Sequence, residues 1–413
     1  MGSFHAINLA GAVLSALMAA FVAVISYFEK DTEYVLVMLI AAAGLTCGAV
    51  LLAFAFYQNI RAFSGLGEQR FFSRLDIRIG LPLLSLTWPV LIFAGSALSQ
   101  QDSLPLQLIF LPGLTVLGIM IPIVGVTWLA IHNLPKDSAR RVWDMLALGM
   151  TLGPMVIVVF EIFSLLLLFV VVALVMSANP QWMAALQSMP DSVQNLSTSE
   201  AQALLQDIFS SPWTVLVGIS WLSFLVPVVE EPLKVIGIWL LGGRIRTPGE
   251  GFLLGVLSGA GFAVFESLGA SASGASQWLG TVGGRAGTSL LHTLNSGIMG
   301  WALVSAWQQR KYTRLGLAFL LTIFIHGLWN AAVVGYGLSL AFYEFPVRLP
   351  NYFSDPQPYL MILAALIGFM LMLAMGFNRA LQPIPTAPVE YNQPLLNPDS
   401  GENQTDGNPD QPD

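Results

Sequence analysis

The chain is poor in charge and holds a single cysteine. Lys and Arg number 17 and Asp and Glu 24 in 413 residues. A charged share of 10% is far below the roughly 25% of soluble domains. Cys47 stands alone inside an apolar run, so no disulfide framework can form and the thiol reads as packing. No basic patch interleaved with aromatics occurs, which excludes nucleic acid as a partner. The leader MGSFHAIN has no Lys or Arg, and no small-x-small site follows the first apolar run. That run is therefore expected to stay as a helix rather than be removed as a signal peptide.

What the chain has in quantity is apolar length. Hydrophobic residues make up 55% of it and the mean hydropathy is +0.71, the profile of an all-α, polytopic helical bundle in a lipid bilayer. Runs long enough to cross (about 20 residues each) fall near 7–28, 34–57, 79–98, 108–131, 145–177, 213–241, 251–270, 287–307, 315–338 and 358–378. The pattern predicts about ten transmembrane helices, with a break at Pro154 inside the long fifth run. Five helices fill 1–177, an outer loop 178–212, a four-helix membrane core 213–338 and a final helix 339–379. The tail, 380–413, is rich in Pro, Asn, Asp and Gly and is expected to be disordered.

Basic residues set the orientation. Arg61, Arg70, Arg74 and Arg78 share one loop, and Lys136, Arg140 and Arg141 come two helices later. Arg244 and Arg246, then Arg310, Lys311 and Arg314, then Arg379 keep the same spacing. The alternate loops hold only Lys30, Arg285 and Arg348, and 178–212 has neither Lys nor Arg. Both termini are thus expected in the cytoplasm, of a cell-membrane protein. The segment STSEAQALLQDIF opens like a capping box and predicts an amphipathic helix on the outer face.

Against this background the stretch LVPVVEEPLKVIGIWLLGG puts Glu230, Glu231 and Lys234 in the middle of a spanning run. Each resists burial in hydrocarbon by roughly 2.5–3.5 kcal/mol. Lys234 follows Glu230 by four residues and Glu231 by three, so its ammonium reaches either carboxylate. Pro227 and Pro232 bracket the pair and each frees a backbone carbonyl, which is tolerated at depth only beside protein or a wet cavity. The next three helices carry Glu266, His292, and His326 with Asn330. Measured at 1.5 Å per residue from the cytoplasmic flanks, the four groups lie about 18–24 Å up. They form one layer past the midplane of a core about 30 Å thick. A Gly251, Gly255, Gly259 stripe aligns with Glu266, with Phe262 beside it, and predicts close helix contact. A lone membrane histidine is more often a hydrogen-bond partner than a catalyst, but a shared layer of six ionisable groups is not explained that way. Glu161 is also intramembrane, with no partner apparent in the sequence.

These residues carry a resemblance to the PrsW family of intramembrane proteases, distantly similar to the CAAX prenyl proteases. EEPLK matches Glu-Glu-x-x-Lys, FAVFE matches Phe-x-x-x-Glu, and HGLWN matches His-x-x-x-Asn, with His292 on the helix between. The resemblance implies a hydrolase that cuts a membrane-anchored regulatory protein, such as an anti-sigma factor, in a signalling pathway. It implies catalytic roles for Glu230, Glu231, Lys234, Glu266, His292 and His326, supported by Phe262 and Asn330. No Gly-x-Ser-x-Gly, intramembrane Asp pair or His-Glu-x-x-His is present, so water activated by a carboxylate is the remaining scheme. Two His and one Glu suit a divalent metal such as zinc, and equally a metal-free glutamate base drawn from the 230–231 pair. A proton- or cation-coupled transporter is the alternative class, since carriers also bury Glu, Lys and His at broken helices. The depth of the layer predicts cleavage in the outer membrane-proximal segment of the substrate, admitted beside the Gly251–Gly259 helix.

Overall fold

A computed structural model describes residues 2–66, 77–135, 137–177, 212–272, 275–344 and 351–382. The amphipathic helix expected in 178–212 lies outside them, as does the expected tail from 383 onward, together with Arg70, Arg74, Lys136 and Arg348. The described residues are helical and contain no strand.

Helices α1 (Gly2–Phe28) and α2 (Thr32–Phe63) form a hairpin, in which Asp31 caps α2 by accepting the Glu33 N–H at 2.9 Å. A second hairpin joins α3 (Ile77–Ser99) and α4 (Leu104–Ile131). The long fifth run divides into α5 (Ala139–Met150) and α6 (Leu152–Ser177). It breaks at Thr151 (φ −122°, ψ −78°) and not at Pro154, which sits in the first turn of α6, where its missing N–H removes no helical bond. The run at 213–241 is three short helices: α7 (Pro212–Ser220), α8 (Val226–Leu233) and α9 (Ile236–Leu241). Then follow α10 (Pro248–Ala270), α11 (Trp278–Gln309), α12 (Tyr312–Glu344) and α13 (Gln357–Ala380). Helix α12 continues six residues past the expected boundary at 338.

Seven of these stretches are long and apolar enough to cross a membrane. The other three expected crossings coincide with α3, the broken run α7–α9, and α11, whose Gly, Ser, Thr, Asn and Gln content lowers its hydropathy.

Helix α10 is the axis of the bundle and is buried along nearly its whole length. On one side its glycines let the backbone of α11 come into contact: a methyl group at Gly251, Gly255 or Gly259 would fall on the carbonyls of Gly300, Ser296 or His292. On another side Gly149 of α5 meets the Ser258 carbonyl, and Gly261 meets that of Leu146. Such approaches supply the dispersion contacts that hold helices together where the solvent is itself apolar. They bury the Gly251–Gly259 stripe against α11.

Candidate active site

The local backbone of the site follows from its prolines. Residues Trp221–Leu225 form a π-helical turn, in which the Val226 N–H bonds the Trp221 carbonyl. In that register the Leu222 carbonyl would pair with the N–H that Pro227 lacks. Asn330 of α12 supplies the donor instead, its Nδ2 lying 2.9 Å from the Leu222 carbonyl. Helix α8 ends at Lys234, and its loose end is tied twice: Trp239 Nε1 donates to the Pro232 carbonyl at 3.0 Å, and Ser258 Oγ of α10 donates to the Lys234 carbonyl at 2.5 Å. The break therefore stays in one shape, and it presents Glu230, Glu231 and Lys234 to α10, α11 and α12.

Lys234 is fully buried. Its Nζ donates to Glu231 Oε1 at 3.0 Å and to His292 Nδ1 at 2.8 Å. It also lies 2.7 Å from Glu230 Oε2 and 4.8 Å from the centre of the Phe262 ring. The Phe262 ring meets His292 edge-on, with centroids 5.0 Å apart, and so holds the imidazole in place. An ammonium has no lone pair, so His292 Nδ1 is an acceptor, and a neutral ring carries its proton on Nε2, where it meets Glu266 Oε2. His326 has the opposite arrangement. Its Nδ1 donates to Glu231 Oε1 at 2.7 Å, which leaves the Nε2 lone pair facing Glu230 Oε2 at 3.9 Å.

All six residues named from the sequence meet here, with Phe262 and Asn330 around them. They do not stand alike. Glu230, Glu266, His292 and His326 line a cavity of about 310 Å³, whereas Glu231 and Lys234 sit behind its wall.

Two further charged residues reach this cavity. Arg285 Nη1 donates to Glu266 Oε1 at 3.0 Å. The sequence reading set Arg285 in a loop because TVGGRAGTS has little apolar character. Helix α11 begins earlier, at Trp278, whose buried indole lies against Gly95 and donates to Thr115 Oγ1 at 2.7 Å. The available signal was spacing: Arg285 precedes His292 by seven residues, two helical turns on one face. Glu161 of α6 also lines the cavity, together with Glu230. Its neighbours Val158, Val159, Phe160, Ile162 and Phe163 are exposed, while Ser164, one turn on, accepts from Trp221 Nε1 of the cavity wall at 3.3 Å.

The donor set suits a metal. Ligand atoms of Glu230, His292 and His326 lie within 4.8 Å of one another. Glu230 Oε2 is met by the Lys234 ammonium, and Glu266 Oε2 and His292 Nε2 meet each other, so all three atoms are gathered on the cavity side of the cluster. Two imidazoles and a carboxylate are a catalytic zinc set with one position open. Glu231 behind His326 is the carboxylate that commonly orients a ligating ring. A ring ligating through Nε2 carries its proton on Nδ1, so Lys234 and a metal compete for the lone pairs of His292.

Broken membrane helices, buried carboxylates and histidines, and a polar cavity inside an apolar bundle define an integral membrane protein with an ionisable site in its core. The model of the PrsW family intramembrane metalloproteases matches residues 142–354. That is more than half of the chain and includes every residue of the layer, and the chain belongs to this family: it is a multi-pass intramembrane peptidase whose substrate is a membrane protein. No curated protein and no solved structure matches it.

Proposed function

We propose that this chain hydrolyses a single-pass, membrane-anchored regulatory protein, of the anti-sigma-factor kind, near the outer end of its span. Both termini of the protease face the cytoplasm of a cell membrane. The observation that carries this reading is the meeting of Glu230, His292 and His326 donor atoms beside Glu266 on one cavity wall. Glu266 has more than a third of its side chain open to that space, and its Oε1 is fixed by Arg285. It is the carboxylate to which an attacking water gives its proton. Glu230, His292 and His326 would hold the metal that the family name implies, which when bound polarises the scissile carbonyl and acidifies its water. Glu231 orients His326 and stays out of the reaction, and Lys234 balances the two buried carboxylates.

Substrate reaches the cavity sideways, between α6 and the π turn, where Glu161, Trp221, Leu222 and Val226 form its wall. The layer lies roughly 18–24 Å above the cytoplasmic flanks, so only the outer end of a substrate helix has to unwind. Water takes over the freed backbone bonds there at least cost. The test is cleavage of a model single-pass substrate by the purified protein, with product termini read by mass spectrometry. Cleavage in the outer third, lost in Glu266→Gln and Glu230→Gln, is the expected result. A cut in the cytoplasmic third, or cleavage that survives both substitutions, would reject the assignment.

A further inference from the structure

A second cavity, of about 220 Å³, lies apart from the proteolytic centre. It is lined by His5, Asn59, Arg140, Arg141, Asp144 and Arg244. These residues come from the N-terminal end of α1, the C-terminal end of α2, the first two turns of α5 and the 3-10 turn that follows α9. Three guanidinium groups thus face one carboxylate across a small space. Asp144 is already engaged, accepting from Asn59 Nδ2 at 2.6 Å and from Asn8 Nδ2 at 3.2 Å, so it ties α1, α2 and α5 together. Arg141 Nη1 is held outside the cavity by Asp137 at 3.0 Å and Glu250 at 2.6 Å. Its Nη2 is buried with no hydrogen-bond partner.

The placement of Arg140 and Arg141 runs against helix electrostatics. The first turn of a helix is its positive end and favours acidic residues, yet α5 begins Ala-Arg-Arg and has no acidic residue there. Positive charge gathered on a helix N-terminus, around a cavity and beside an unused guanidinium nitrogen, describes an anion receptor. A phosphate group suits it: small enough for the space, with several oxygens to accept from the guanidinium groups that line it.

We infer that this cavity binds the phosphate of an anionic phospholipid. The site belongs to the face that also carries Arg246, Arg310, Lys311, Arg314 and Arg379, the face where helix ends meet headgroups and where basic pockets between helices take anionic lipid. Arg244 at its rim is exposed, so a headgroup can reach it. The bound phosphate would bridge α5 to the end of α9, and α9 directly follows the helix that bears Glu230 and Glu231.

The experiment uses the full chain in zwitterionic phosphatidylcholine micelles, titrated with phosphatidylglycerol. A parallel titration uses inorganic phosphate. Binding is read by native mass spectrometry and by the rise in unfolding temperature. One retained phosphatidylglycerol is expected, with affinity falling about tenfold in Arg244→Gln and in Arg140→Gln, the size of one lost charge-assisted hydrogen bond. Arg379→Gln, on the same face and outside the cavity, should leave the affinity unchanged. Arg244 is exposed, so its variant should unfold at the parent temperature without lipid, which separates lost binding from lost folding. Equal protection by inorganic phosphate would keep the site and make its ligand soluble phosphate. Affinity that is unchanged in both cavity variants, or that falls equally in Arg379→Gln, would overturn the inference.

Discussion

Replacing Lys234 by methionine keeps the side chain's length and removes its charge. In the parent the ammonium has two carboxylates and an imidazole within 3.0 Å and a ring face within 4.8 Å, and no exposed surface. Taking it away leaves Glu230 and Glu231 beside each other with no counter-charge. Breaking a buried ion pair from one side costs about 3–5 kcal/mol, and two orphaned carboxylates put this case near the upper figure. At 1.4 kcal/mol per factor of ten, the folded-to-unfolded ratio should drop by roughly three orders of magnitude. A neutral hydrogen bond between membrane helices averages only about 0.6 kcal/mol, so the two roles are well separated in size. Reversible unfolding of the purified protein in mixed micelles measures the difference. The double variant Lys234→Met with Glu231→Gln should regain much of the loss, because a carboxylate no longer waits for its partner, and should still fail to cleave substrate. A loss below about 1 kcal/mol, comparable with the neutral bond, would mean that Lys234 is an ordinary interhelical donor, and the electrostatic account of the site would fall with it.

Glu266→Gln should abolish cleavage while leaving unfolding nearly unchanged, since more than a third of the side chain is open to the cavity; an active variant removes Glu266 as proton acceptor. Arg285→Gln should lower kcat more than it raises KM, because the guanidinium aims Glu266 rather than gripping substrate, and a pure KM effect would contradict this. Gly259→Ala puts a methyl group on the His292 carbonyl and should cost about 1–3 kcal/mol with loss of activity, whereas Gly218→Ala, which meets open space, should be neutral in both assays. A chelator should stop cleavage and added zinc restore it, and turnover that persists in metal-stripped protein would exclude the ligand role of Glu230, His292 and His326.

The charged layer was legible in the sequence because each of its members interrupts an apolar run, where an ionisable group is too costly to be incidental. Spacing alone linked Lys234 to the two glutamates and showed that the four helices carry their polar groups at one height. The division of labour within the Glu230–Glu231 pair was not legible. Adjacent residues on a helix point about 100° apart, and which of them faces water depends on neighbours that only the packed bundle supplies. Arg285 escaped because a glycine-rich helix start looks like a loop until a tryptophan anchors it in another hairpin. Glu161 was visible but unplaced, as a lone polar residue says nothing of the direction it faces. The break at Thr151 eluded a reading that assigned it to the nearest proline.

The backbone contacts on both sides of α10 bear on how this molecule can move. Carriers work by swinging one bundle against another, and such motion needs interfaces where side chains slide and repack. Between α5, α10 and α11 side chains such as Met145, Phe252 and Leu294 fill only part of the contact; elsewhere carbonyls rest on glycine Cα atoms, and a shift of one residue would set a side chain against a main-chain oxygen. The bundle is jammed along its axis, and the π turn is held as closely, since Gly327 of α12 rests on the Ser223 carbonyl. A molecule built this way keeps its axis still, as a peptidase needs and a rocking transporter does not.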